Sequence, residues 1–129
     1  MPTDPYAGLE QLYDELGEEG FSALVSSFYR RVRGDDLLAP MYPDDDWDGS
    51  QGRLLDFIVG RCGGPPRYVE ARGHPRLRMR HARFRLDQAA RDRWMEHMGA
   101  ALGELDTDAH TRARLHAFFD ATATFLLNS

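Results

Sequence analysis

The chain has 129 residues, 42% hydrophobic and 29% charged, with 16 basic and 21 acidic side chains and a net charge of −5. That length and balance predict one globular domain over residues 1–129 and exclude a disordered chain. No run reaches the about 18 apolar residues needed to cross a bilayer, and the single cysteine, Cys62, excludes an internal disulfide and a structural zinc site.

The start, Met1-Pro2-Thr3-Asp4, has neither the basic nor the apolar region of a signal peptide, so a cytoplasmic protein without a membrane partner is expected. Four valines, one isoleucine and five threonines are too few β-branched residues for a sheet protein. Helical periodicity recurs instead. Leu9, Leu12, Tyr13 and Leu16 predict a short helix over residues 6–16. Phe21, Leu24, Val25, Phe28, Tyr29 and Val32 line one face of a long helix over 18–33. Asp35 to Met41 fits one further turn before Tyr42-Pro43. Leu54, Leu55, Ile58 and Cys62 mark a helix over 48–62, with Asp48 as its N-cap and Gly63-Gly64-Pro65-Pro66 as its stop.

From Gly63 to Leu86 the pattern breaks. Glycine and proline punctuate this stretch, and only a short helix from about Pro75 to Ala82 is expected, with Pro75 in its first turn. Trp94, Met95, Met98, Ala101, Leu102 and Leu105 then predict a helix over 88–104, capped by Asp87. Leu115, Phe118, Phe119, Thr122, Phe125 and Leu126 predict another over 107–127, opened by Asp106 or Thr107. The fold class is therefore all-α.

Charge is segregated along this frame. Residues 1–66 sum to −8 and residues 94–129 to −3, whereas residues 67–93 carry nine arginines against Glu70, Asp87 and Asp92, a local +6. A long polyanion would be repelled by the rest of the molecule. A small anion, or ion pairs within the fold, suits the block better.

Within it, Leu77 and His81 are four residues apart and share a face of the short helix, which turns the imidazole inward. No second histidine, cysteine or carboxylate stands at zinc-ligand spacing, and no nucleophile arrangement or glycine-rich phosphate loop is present. A lone inward histidine is what a haem iron needs as axial ligand. Haem propionates would engage arginine, and its macrocycle needs an apolar wall. Tyr29 on an apolar helix face, Tyr42 in a tight corner and Trp94 at the head of an apolar stripe offer three hydrogen-bond donors. His97, His110 and His116 read as surface residues, and His74 as a loop or cap residue.

The run from Gly73-His74-Pro75 through His81-Ala82-Arg83-Phe84-Arg85 resembles the proximal segment of truncated haemoglobins of the second group. Phe28-Tyr29, Met41-Tyr42-Pro43-Asp44-Asp45, Gly63-Gly64-Pro65 and Arg91-Asp92-Arg93-Trp94 are similar to further segments of that family, and the likeness spans residues 6–127. The resemblance implies a two-over-two helical sandwich, pairing 18–33 with 48–62 and 88–104 with 107–127 around one haem b. It implies that His81 is the proximal iron ligand and that Tyr29, Tyr42 and Trp94 hydrogen-bond the distal ligand. Leu54 matches an apolar distal position and Ser50 a small residue at the ligand entrance. Arg53, Tyr68 and Arg85 are expected propionate contacts, and Met79 a further cofactor contact.

The chain departs from the family at Arg83, where proline is frequent, at Cys62, where an aromatic is common, and in Gly17-Glu18-Glu19-Gly20, which lacks an adjacent glycine pair. The implied activity is reversible binding of O₂, with NO and CO as other ligands, in a monomer or homodimer. NO dioxygenation or peroxide turnover with a separate reductase is the enzymatic alternative. A haem-free nucleic-acid module using residues 67–93 is the alternative from another class, although no nucleic-acid partner is expected.

Overall fold

The computed structural model describes residues 4–129, and every regular element among them is helical. Short 3₁₀ turns at Leu9–Gln11 and Ala39–Met41 accompany six α-helices: α1 (Leu12–Val32), α2 (Trp47–Arg61), α3 (Arg67–Arg72), α4 (Leu77–His81), α5 (Gln88–Glu104) and α6 (Ala109–Phe125).

Gly17 divides α1. Its φ of 69° and ψ of 174° lie where essentially only glycine goes, so the chain breaks between the short helix expected before it and the long stripe after it. That stripe is buried as its spacing requires: Phe21, Leu24, Val25, Phe28, Tyr29 and Val32 all enter the core. Helix α1 packs on α2 and on α5, and α5 packs on α6. Two helix pairs thus share one core, built mainly from the α1 stripe, Ile58 and Val59 of α2 with Cys62 just after it, Met98 and Leu102 of α5, and Leu115, Phe118 and Phe119 of α6. Burial pushes the Cys62 thiol up to about 12, which leaves it an inert core group.

The caps show where boundary expectations move. Asp87 accepts from the Ala90 amide at 2.9 Å and starts α5 as expected. Asp108, not Asp106 or Thr107, caps α6 by accepting from the Thr111 amide at 2.7 Å. Helix α2 starts at Trp47, ahead of the expected cap Asp48. The irregular stretch holds two helices where one was expected. α4 falls inside the Pro75–Ala82 window, but α3 has a single buried residue, Tyr68, and so no apolar stripe to announce it.

The Gly63-Gly64 turn is fixed by what lies against it. The Tyr13 amide donates to the Cys62 carbonyl at 2.9 Å, pinning the start of α1 to the end of α2. Gly63 has φ 94°, and a Cβ there would overlap the Glu10 carbonyl. Gly63→Ala is therefore expected to cost about 2–4 kcal/mol from positive-φ strain and backbone overlap together. Urea denaturation against the parent chain checks this.

Candidate functional site

His81 closes the five-residue helix α4, half-buried. Its Nδ1 lies 2.7 Å from the Leu77 carbonyl oxygen, one turn earlier. A carbonyl only accepts, so Nδ1 carries the proton and Nε2 keeps its lone pair. The same bond fixes the ring plane, as an outer hydrogen bond does for a metal-binding imidazole.

The three expected distal donors come together from three elements. Tyr29 is buried on α1; its ring meets Tyr42 edge-on at 5.7 Å between centroids. Trp94 of α5 packs on Phe28 at 4.8 Å and on Phe119 at 5.9 Å. The Tyr29 hydroxyl donates to the Ser50 carbonyl at 3.2 Å, which ties α1 to the first turn of α2. Burial pushes the Tyr29 hydroxyl well above its ordinary range, Tyr42 adds to this and Arg53 opposes it. Burial also raises the Tyr42 hydroxyl, while hydrogen bonding with Trp94 and Tyr29 offsets part of that rise. Both phenols are neutral near pH 7 and keep their protons as donors.

Two features of this cluster escape sequence reasoning. Trp47 stacks on Tyr42 at 5.2 Å and 26°, and meets Tyr29 edge-on at 6.2 Å. Its position in the first turn of α2, just past a run of aspartates, hid it among surface residues. Asp35 is the second. Its side chain is 3% exposed and accepts from the Leu37 and Leu38 amides at 2.8 and 3.0 Å, from Arg93 Nη1 at 3.0 Å and from His97 Nε2 at 2.6 Å. Burial alone would raise its pKa. The bonds from His97, Leu38, Leu37 and Arg93 outweigh it and hold the carboxyl well below the usual carboxylate range. His97 is thus no solvated surface residue. Asp35 joins the turn leading into Tyr42 to the α5 segment that carries Trp94. An Asp two and three residues ahead of Leu37-Leu38, set to bond their amides, is the one signal in the sequence.

The remaining expected contacts divide. Leu54 is partly buried against the core, and Ser50 is buried in the first turns of α2. Arg53 donates to Asp46 at 3.0 Å and reaches the Ser50 hydroxyl at 3.3 Å. Tyr68 is buried, edge-on to Phe57 at 5.8 Å. Met79 is not brought into the cluster: it is 60% exposed, two residues from His81 on a helix, and therefore faces away from the Leu77–His81 side. Arg85 is also turned outward, with its side chain 81% exposed and Asp87 at 3.6 Å.

The basic block resolves into two populations. Arg67 pairs with Glu18 and Asp56, Arg91 with Asp92 and Asp120, and Arg93 with Asp35 and Asp36. Arg80 donates to the Pro75 and Arg72 carbonyls and staples the loop. Among the described residues, Arg72, Arg76, Arg78 and Arg83 have no carboxylate within ion-pair distance.

The donor set tests what His81 can hold. Among the described residues no three His, Cys, Asp or Glu side chains gather as a metal site. A metal at Nε2 would therefore need its other ligands from a chelating group, which is what a porphyrin supplies. The surroundings fit such a group. Helix α4 makes only sparse contact with any other helix, and Met41, Leu54, Leu55, Phe57 and Trp94 each pack one side on the core and leave the other uncovered.

Residues 11–128 match the bacterial-like globin family, and the chain belongs to it, within the group II truncated haemoglobins. It is 34% identical over 116 residues to the group 2 truncated haemoglobin YjbI of Bacillus subtilis, covering 90% of this chain and 87% of that one. Its fold is similar to that of a thermostable haemoglobin from Thermobifida fusca, with TM-score 0.88 and 41% identity over 92% of this chain and 97% of that one. It is also similar to the truncated oxygen-avid haemoglobin from Bacillus subtilis, with TM-score 0.85 and 34% identity over 90% and 98% of the two chains. The two helix pairs are therefore the two-over-two sandwich of a truncated globin, and the family implies a haem cofactor. Among the described residues no helix is long and apolar enough to cross a membrane.

Proposed function

We propose that the chain holds one haem b through His81 Nε2 and binds O₂ reversibly, with NO and CO as competing ligands. The observation that carries this reading is the gathering of Tyr29, Tyr42 and Trp94, three neutral donors from three elements, in a globin that offers a single histidine on a free-standing helix. The oxygen-avid neighbour from Bacillus subtilis supports O₂ as the ligand. When bound, the group supplies an iron with one coordination position open to a diatomic molecule.

The chain's own residues then divide the work. The Leu77 carbonyl holds the proton of His81 on Nδ1 and keeps Nε2 available. Leu54 and the Trp94 ring exclude water from the distal side. Arg53 and Tyr68 are the propionate contacts of this reading, whereas Arg85 and Met79 point away from it. The distal donors are not equivalent. Tyr29 has one proton and gives it to the Ser50 carbonyl, whereas among the described residues no acceptor takes the Tyr42 O–H, which stays free to donate.

Haemin titration tests the reading: a Soret band and reversible O₂ binding are expected, and their absence overturns it. Tyr42→Phe is expected to speed O₂ release by up to about tenfold, the worth of one net hydrogen bond, and Tyr29→Phe by less. Stopped-flow O₂ dissociation ranks the two.

A further inference from the structure

We propose that the outer face of α4, with the groove beside it, is the docking surface for an acidic one-electron carrier protein that keeps the iron reduced. This rests on the haem reading above and adds a partner and a place to it. Met79 stands on the α4 face opposite Leu77 and His81, and Arg76 and Arg83 flank the helix just before and just after it. Beside it lies a cavity of about 490 Å³ lined by Arg78, Arg83 and Arg85, by Phe84 and Leu126, and by Asn128 and Ser129. No acidic side chain lines this cavity, and of the arginines on the face only Arg85 has a carboxylate nearby. The guanidinium groups of Arg78 and Arg83 instead lie over the rings of Phe125 and Phe84, at 5.5 and 4.8 Å.

Exposed arginine mixed with exposed apolar groups is what protein interfaces enrich. Met79 is 60% exposed and Phe125, the outer end of the α6 stripe, 54%. Charge selects the occupant. The segments on either side sum to −8 and −3, so an acidic protein is repelled elsewhere and steered to the arginines around α4 that no carboxylate neutralises. A long nucleic acid would meet those acidic flanks. Location then selects the chemistry. Asn128 lines the groove and donates to the carbonyls of Phe84 at 3.0 Å and His81 at 3.4 Å, so a protein seated there stands one side chain from the proximal ligand. O₂ binds iron(II) only, so iron(III) must be returned to iron(II) by an electron donor, and residues 11–128 are taken up by the globin fold. In the step supported, the carrier loses one electron and iron(III) becomes iron(II), with no bond to the protein made or broken.

The test uses the ferric haem-loaded protein and photoreduced flavodoxin as the acidic carrier. Stopped-flow reduction is expected to slow by about tenfold or more between low and physiological salt, and by about tenfold or more in the double variant Arg78→Glu, Arg83→Glu, with a flattened salt dependence. Direct binding of oxidised flavodoxin, read by calorimetry, is expected to weaken in the same variant. Dithionite reduction and the CO difference spectrum are expected to be unchanged, showing that the haem site is intact. An equal flavodoxin rate and salt slope in parent and variant overturns the proposal, as does tighter binding of a single-stranded oligonucleotide than of flavodoxin at matched salt. Failure of the parent chain to take up haemin would overturn the haem reading instead, and is seen before the carrier is added.

Discussion

His81→Gly is expected to abolish protein ligation of the iron, and added imidazole is expected to restore it. Outer partners of a metal-binding imidazole are worth roughly 10–100-fold in metal affinity, so loss of the imidazole itself should cost more. The rest of α4 offers only Leu77, Arg78, Arg80 and the outward-facing Met79, and α4 has little packing to lose, since none of its residues is buried. The variant should therefore keep its fold while its haem spectrum changes, and free imidazole has space to enter where the side chain was removed. Absorption spectra with and without imidazole, with far-ultraviolet circular dichroism as the folding control, check this. A spectrum identical to that of the parent would remove His81 from the role.

Legibility in the sequence follows how each residue makes its case. The long helices could be read because α1, α5 and α6 bury a periodic face: Phe21 to Val32, Met95 to Leu102 and Leu115 to Phe119 all reach the core. α3 could not, because Tyr68 is its only buried residue and Pro65-Pro66 before it reads as a stop. The orientation of His81 was legible because one local pair, Leu77 and His81, sets it. The brace behind the distal side was not. Asp35 meets Arg93 and His97 from about sixty positions away, and no spacing rule reaches across that gap. Met79 and Arg85 stand apart from the cluster. The cofactor contacts expected of them came with the resemblance, whereas in the structure a helix turns Met79 to its other side and the loop after it carries Arg85 outward.

Net charge behaves similarly. The +6 block could be counted from the sequence, yet its meaning lay in pairing. Arg67, Arg91 and Arg93 are internal ties that hold α3 and α5 to their neighbours. Arg72, Arg76, Arg78 and Arg83 are left over, and the last three lie at α4. An arginine census cannot separate these classes, because each partner carboxylate comes from another element.

The Asp35 brace makes the second large expectation. Asp35→Asn is expected to destabilise the fold by about 2 kcal/mol, toward the low end for a broken buried pair because Arg93 is 43% exposed and keeps part of its hydration. Asp35→Ala should cost about 1 kcal/mol more, since the Leu37 and Leu38 amides then lose the oxygen that asparagine still offers. Acid should close the gap between parent and Asn variant. A carboxyl held below its unfolded value contributes stability that is fully present above the unfolded pKa, about 3.9, and is lost as pH falls through the native value. The difference should thus be constant with respect to this group from neutral pH down to about 5 and shrink below about 4. Urea denaturation of parent and variant across that range measures it, and a gap that widened on acidification would contradict the assignment. Because Asp35 also fixes the turn before Tyr42 and the residue before Trp94, Asp35→Asn should speed O₂ release under conditions where both proteins are fully folded. A variant that lost stability but released O₂ at the parent rate would reduce Asp35 to a structural tie.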